Sequence, residues 1–239
     1  MLTEKNLKQL NDSQKRQVLM QWGKHQHDDF FADFAITPFG EILPDFFVKK
    51  GVWNPNIVSA RHHAAYMFYH NHLFRDKIVL DIGCGTGILG IIMAKYGAKH
   101  VVMSDVSKLA VVNTKENIKK YKLKNTKVVE SNLFENIKGK FDCITFMQPY
   151  FAGEPPKGDT ISSSMLASPD LIKKFLKEVG KYLKNNGVII MPSFSLAGDL
   201  NNPTVLGKKF GYMIKTPFVI ESVTGLQKGI IAMHELTRN

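Results

Sequence analysis

The residues best placed to do chemistry form one short run, Asp81-Ile82-Gly83-Cys84-Gly85-Thr86-Gly87. It ends an apolar stretch, Ile78 to Ile82, and leads into another, Ile88 to Tyr96. A glycine turn between a strand and a helix lets a ligand approach the backbone closely. It also leaves helix N–H groups pointing at that ligand. The spacing is G-x-G-x-G, whereas the dinucleotide fingerprint is G-x-G-x-x-G. Asp81 stands two residues before the first glycine. A carboxylate there repels a pyrophosphate and attracts an ammonium group. Asp105 follows the next apolar run, Val101 to Ser104. A carboxylate at the end of a second strand can hold both hydroxyls of a ribose.

These residues need a scaffold, and the texture of the chain supplies one. It changes near residue 76. Beyond it, apolar runs of strand length alternate with longer amphipathic stretches, the pattern of βα units around a mostly parallel sheet. The expected strands are 78–82, 101–104, 127–130, 141–147 and 188–191. The expected helices are 88–96, 108–121, 170–183 and a short one over 204–210. In the helix over 108–121, Leu109, Val112 and Ile118 are expected to face inward. Asn186-Gly187 is read as the close of the helix over 170–183. Two final strands, 212–221 and 229–235, joined by a turn containing Gly225, imply an antiparallel pair at a sheet edge. Before residue 56 the reading is a cap: a helix from Glu4 to Gln21, then an aromatic stretch containing Phe30, Phe31, Phe34, Phe39, Phe46 and Phe47. The expected organisation is a cap over 1–55 and a main domain over 56–239.

Composition narrows the class. The chain has 239 residues, of which 44% are hydrophobic and 22% charged, enough for a buried core. Two cysteines, Cys84 and Cys143, exclude a disulfide framework and a multi-cysteine zinc site. The histidines at 62, 63, 70 and 72, and His25 and His27 beside Asp28 and Asp29, lack a fixed zinc spacing, so no metal site is expected. No segment has the roughly 18 apolar residues needed to span a bilayer. Met1 to Leu10 is polar where a secretory signal would be apolar, so a cytoplasmic protein without a membrane partner is expected. The balance of 32 basic against 21 acidic residues, a net +11, favours an anionic partner such as RNA or describes solvated lysine faces. Nothing in the sequence points to DNA.

The run VLDIGCGTG, followed by VVMSDVS, resembles motifs I and II of class I S-adenosylmethionine-dependent methyltransferases. The resemblance covers about residues 74–235. It implies an α/β, Rossmann-like seven-strand sheet with an antiparallel terminal strand pair, here preceded by a helical cap. It also implies S-adenosylmethionine as the cofactor. Asp81 would then lie near the methionine amino group, with the loop Gly83, Cys84, Gly85 and Gly87 along the methionine and ribose. Asp105 would take the ribose hydroxyls, Val106 would pack on adenine, and Asn132 with Leu133 would face the adenine edge.

The stretch FDCITFMQPYF over 141–151 resembles the FDLIVSNPPYF stretch of small-domain methyltransferases acting on exocyclic or amide nitrogens. In that motif a side-chain amide and a backbone carbonyl accept hydrogen bonds from the target amino group, and an aromatic ring stacks on the planar target. The resemblance assigns these catalytic roles to Gln148, Pro149 and Tyr150. Gln148 offers the amide oxygen one residue later and on a longer arm than the motif's asparagine. Gly51-Val52-Trp53-Asn54-Pro55 resembles the segment that closes over cofactor and substrate, which makes Trp53 and Asn54 substrate-binding candidates. Trp53 has two readings, stacking on a base or packing under the cap. The expected activity is methyl transfer to nitrogen on an RNA base or a protein side chain. A small-molecule methyltransferase, or a module that binds S-adenosylmethionine or RNA without catalysis, are the alternatives.

Overall fold

The computed structural model describes residues 2–37, 40–57, 59–224 and 227–238. In chain order the elements are α1 (Asp12–Lys24), β1 (Phe30–Ala35), β2 (Ile42–Val48), α2 (Ala60–Tyr69), β3 (Ile78–Ile82), α3 (Ile88–Lys95), β4 (His100–Asp105), α4 (Lys108–Lys120) and β5 (Thr126–Glu130). They continue with β6 (Phe141–Phe146), β7 (Phe151–Ala152), α5 (Thr160–Met165), β8 (Leu166–Ala167), α6 (Pro169–Glu178), β9 (Leu183–Phe194), α7 (Pro203–Lys209), β10 (Met213–Thr224) and β11 (Gln227–Thr237).

The main sheet has seven strands in the order β10-β11-β9-β6-β3-β4-β5. Five run parallel, and β11 pairs antiparallel with both β9 and β10. The expected terminal pair is present, while the turn around Gly225 lies outside the described residues. The central strands are apolar on both faces because helices cover both. In β3, Val79, Leu80 and Ile82 are all buried. Ile82 is in register with Ser104 and Phe146, so the loops that follow β3, β4 and β6 open along one edge of the sheet.

Several local expectations are corrected. The N-terminal helix is interrupted: a 3-10 turn spans Glu4–Leu7, and α1 starts afresh at Asp12. The cause is a capping box. Asn11 Oδ1 accepts the Gln14 N–H, and Gln14 Oε1 accepts the Asn11 N–H. The aromatic stretch, for which no secondary structure was expected, forms a β-hairpin of β1 and β2. Its residues Phe34, Leu43, Phe46 and Val48 are buried in a cluster with Ile88, Leu89, Ile91 and Ile92 of α3. Phe39 lies outside the described residues. The helix over 170–183 ends at Glu178, a 3-10 turn follows, and β9 already starts at Leu183, with Asn186-Gly187 inside it. An irregularity in the β6–β9 register absorbs that turn.

The buried face of α4 differs as well. Val112 is exposed and Leu109 and Ile118 are half-buried, whereas Asn113, Thr114 and Asn117 are buried. The reason is a backbone to be satisfied. Asn113 Nδ2 and Asn117 Nδ2 donate to the Phe47 carbonyl, and their Oδ1 atoms accept the Lys49 and Phe47 N–H groups. The end of β2 has no sheet partner on that side, and α4 supplies one with side chains.

Candidate active site

The glycine loop turns sharply after β3. Gly83, Gly85 and Gly87 have φ of 66°, 56° and 85°, the left-handed region where a side chain is strained. Ordered hydrogen bonds hold the loop. The Cys84 N–H donates to the Ser104 carbonyl at 2.9 Å. The Gly85 N–H donates to Asp105 Oδ2 at 2.9 Å, and the Gly85 carbonyl accepts from Thr114 Oγ1 at 2.9 Å. Asp105 Oδ1 accepts the Ser107 N–H at 2.8 Å. Asp105 is thus locked by two backbone donors, while each carboxylate oxygen keeps lone-pair capacity for a ligand hydroxyl. Burial pushes its carboxyl above the usual range, opposed by those N–H donors.

Asp81 is buried behind the loop, 1% exposed, and Oδ2 accepts the Gly90 N–H at 3.0 Å. Burial pushes its carboxyl up to about 8, against the pull of the Gly90 hydrogen bond. This contact depends on Gly90. A Cβ there would lie 2.2 Å from Met103 Sδ, so only glycine lets α3 pack this close to β4.

A cavity of about 480 Å³ opens over the loop. Its lining includes Gly83, Cys84, Gly85, Asp105, Val106, Asn132, Leu133, Gln148, Pro149, Tyr150 and Trp53. Of the residues expected from sequence, Asp81, Gly87 and Asn54 are outside that lining. Asp81 braces the loop from behind, and Asn54 Oδ1 accepts the Asn56 N–H in a turn. Val106 is 66% exposed at the cavity, a large apolar side chain left uncovered. Asn132 commits Nδ2 to Glu135 Oε1 at 2.8 Å, which leaves Oδ1 as an acceptor. The Cys84 thiol lies 3.4 Å from Thr114 Oγ1, and burial holds its pKa high, so it is a packed thiol and not a nucleophile.

Gln148 is 1% exposed, and Nε2 donates to the Pro192 carbonyl at 2.6 Å. A carbonyl can only accept, so this contact fixes which end of the amide is which. Oε1 is left buried with no hydrogen-bond partner. The Pro149 carbonyl already accepts from Asn201 Nδ2 at 3.2 Å, and the same nitrogen reaches the Phe151 and Ala167 carbonyls at 3.1 Å each. Tyr150 donates its hydroxyl to Ser59 Oγ at 2.8 Å, and burial raises its pKa.

The N-terminal segment closes one side. Trp53 stacks on His25 with ring centroids 3.6 Å apart while still lining the cavity. Burial lowers the His25 pKa to about 4, so the ring is neutral. Trp22 Nε1 donates to Asp159 Oδ2, and Asp159 caps α5 by accepting the Ser162 N–H. The Thr160 hydroxyl donates to the Gly51 carbonyl, tying α5 to the segment that carries Trp53.

Sequence reasoning missed Gln21, Thr114, Asn201 and Gly90. Gly90 was the one with a visible signal, a further glycine three residues beyond Gly87. The lining carries one charged side chain, Asp105, and no lysine or arginine among the described residues. Among the described residues no group of three metal-ligating side chains comes together, and no helix is long and apolar enough to cross a membrane.

Comparison with known proteins agrees with this geometry. The family described as the methyltransferase small domain matches residues 65–216. A Methanocaldococcus jannaschii chain named as a protein N5-glutamine methyltransferase is 37% identical over 154 residues, covering 60% of this chain and 78% of that one. A ribosomal protein L11 methyltransferase of Thermoanaerobacter pseudethanolicus is 32% identical over 123 residues, covering 52% of this chain and 34% of that one. Among solved structures, a T. thermophilus 16S rRNA methyltransferase in complex with AdoMet and guanosine superposes with a TM-score of 0.61 at 18% identity, covering 88% of this chain and 51% of that one. With the glycine loop, the Asp105 carboxylate and the seven-strand order all in place, the chain belongs to the methyltransferase small domain family and is a class I, S-adenosylmethionine-dependent methyltransferase.

Proposed function

We propose that this protein methylates a planar amide or amino nitrogen, with a protein carboxamide as the favoured acceptor. The observation that carries this reading is Gln148, a cavity-lining residue whose buried Oε1 has no partner. Leaving such an atom unpaired costs about 1–3 kcal/mol, which a bound N–H donor recovers.

The loop from Gly83 to Gly87, with Cys84 and Gly85, forms the cradle for the cofactor. Asp105 takes the ribose hydroxyls, Val106 covers the adenine ring, and Asn132 with Leu133 meets its edge. The uncovered Val106 and the free Oδ1 of Asn132 fit a flat base with an exocyclic amino group. When bound, S-adenosylmethionine supplies a methyl group activated on a sulfonium, which passes to nitrogen as the carbon–sulfur bond breaks with its electron pair kept on sulfur. Gln148 Oε1 accepts one N–H of the acceptor and so aims the nitrogen lone pair. The Pro149 carbonyl, which spends one lone pair on Asn201, keeps a second for the other N–H. Tyr150 and Trp53 offer ring faces to a planar group. The proton leaves the alkylated nitrogen for water, so no protein base is required. Residues 1–55 serve as the cap over a methyltransferase domain of residues 56–239, and a cytoplasmic location suits two unpaired buried thiols.

The relative named for glutamine methylation supports a carboxamide, and so does a lining that, among the described residues, has one charge and no cation for a phosphodiester. The net charge of +11 favours a second reading, an amino group on an RNA base. Label transfer from S-adenosylmethionine into the protein and RNA fractions of a cell extract separates the two. Acid hydrolysis of a methylated carboxamide releases labelled methylamine, whereas a methylated base keeps its label on the nucleobase. Label released as methylamine supports the favoured reading. Label kept in nucleobases refutes it in favour of RNA.

A further inference from the structure

Helix α1 turns three amides toward the body of the protein, Gln14, Gln17 and Gln21, spaced along one helical face. Two of them tie the helix down. Gln14 Nε2 donates to the Ala197 carbonyl at 2.9 Å, and Gln17 Nε2 donates to Gln227 Oε1 at 2.6 Å. Gln21 is different. It is 3% exposed and lines the cavity, and its Nε2 is buried without a hydrogen-bond partner. For packing alone, leucine would fill that position without an unpaired donor.

Among the described residues, two residues on the cavity lining carry a buried side-chain atom without a partner: Gln21 at Nε2 and Gln148 at Oε1. One is a donor and the other an acceptor. A primary carboxamide presents the complementary pair, a carbonyl oxygen and an N–H, on one planar carbon.

We propose that Gln21 is a specificity-determining residue: its Nε2 donates to the carbonyl oxygen of the acceptor's carboxamide while Gln148 Oε1 accepts the N–H. This rests on the carboxamide reading above. A carboxylate side chain has no N–H for Gln148 and sets a negative oxygen against its Oε1. An alkylamine has no carbonyl for Gln21. The pair therefore selects glutamine or asparagine over glutamate, aspartate and lysine. Gln21 lies outside the family-matched residues 65–216, so its half of this selection comes from the N-terminal segment, while Gln148 contributes the other half from the shared domain.

The test uses the full chain with Gln21→Leu and Gln21→Glu. Three quantities are read: S-adenosylmethionine affinity by calorimetry, melting temperature, and initial rate of label transfer into the protein fraction of a cell extract, scored as released methylamine. Gln21→Leu is expected to keep cofactor affinity within about twofold and to melt no lower than wild type, because an apolar group replaces an unpaired amide. Its transfer rate at subsaturating acceptor is expected to fall about tenfold or more. Gln21→Glu, similar in size but without the donor, is expected to fall as far. Wild-type transfer rates in both variants overturn the role of Gln21 and leave the carboxamide reading standing. A lowered melting temperature with unchanged transfer makes Gln21 a packing residue and overturns the proposal. Wild-type label confined to nucleobases, or no methylamine from the wild type, overturns the carboxamide reading and the proposal with it.

Discussion

Replacing Asp81 by asparagine isolates the electrostatics of the glycine loop. Asparagine keeps an oxygen for the Gly90 N–H that Asp81 Oδ2 now accepts at 3.0 Å, but it cannot ionise. Burial holds the native carboxyl at about 8, against 3.8 for an ordinary aspartate. The sign follows. The native state binds a proton that the unfolded chain has lost, so this group's contribution to stability falls as pH rises from about 4 to about 8. Near pH 7 the native carboxyl is about nine-tenths protonated, giving a loss of about 1.2 kcal/mol per pH unit. For a chain of this size that is roughly 3–5 °C in melting temperature. His25, His63 and His234, lowered by burial to about 4, 3 and 4, act in the opposite direction below pH 6.5, but they are common to both proteins and cancel in the difference. Thermal melts of wild type and Asp81→Asn at pH 6.5 and 7.5 are the assay. The wild type is expected to lose about 1 kcal/mol relative to the variant over that interval. Parallel curves would show an ionised Asp81 in the native protein and refute the reasoning. If a bound ammonium group lies near Asp81, cofactor binding at pH 7 releases up to about 0.9 proton. Calorimetry in two buffers of different ionisation enthalpy reads that release.

Two further outcomes are expected. Asp105→Ala should weaken S-adenosylmethionine binding about tenfold or more, since it removes the proposed contacts to two ribose hydroxyls and frees the Gly85 and Ser107 N–H groups; calorimetry with unchanged affinity would mean the carboxylate serves only the loop. Asn201→Leu strips the shared donor from the Pro149, Phe151 and Ala167 carbonyls, so urea unfolding should show a loss of about 1–3 kcal/mol; an unchanged midpoint would show those carbonyls to be satisfied without it.

The sheet was legible because its signals are local and repeated. Short apolar runs bounded by turn residues, such as IVLDI, read as buried parallel strands, and the glycine spacing marks where β3 ends. Two of the corrections share one cause, tertiary partners invisible along the chain. Asn113 and Asn117 were not among the residues of α4 expected to face inward, yet they do so because the Phe47 backbone needs partners. The aromatic run pairs adjacent rings, Phe30-Phe31 and Phe46-Phe47, so no period marked it as a hairpin, and packing on α3 decides which of its residues join the core. The break before α1 was readable in principle, since Asn11-x-x-Gln14 is a capping box. At the site, Gln148 stood out through its motif, whereas Asn201 and Gln21 reach it from 53 residues downstream and 127 upstream of Gln148, with no local pattern to mark them.

The most direct test of the account is a paired measurement on wild type and Gln148→Leu. Cofactor affinity is taken by calorimetric titration with S-adenosylmethionine, with NAD as the control ligand. Methyl transfer is taken by label incorporation into extract protein. The account predicts saturable S-adenosylmethionine binding of similar strength in both proteins, no NAD binding, and methylamine-releasing label from the wild type alone. A wild type that does not bind S-adenosylmethionine, or a Gln148→Leu variant that transfers label at the wild-type rate, would contradict it.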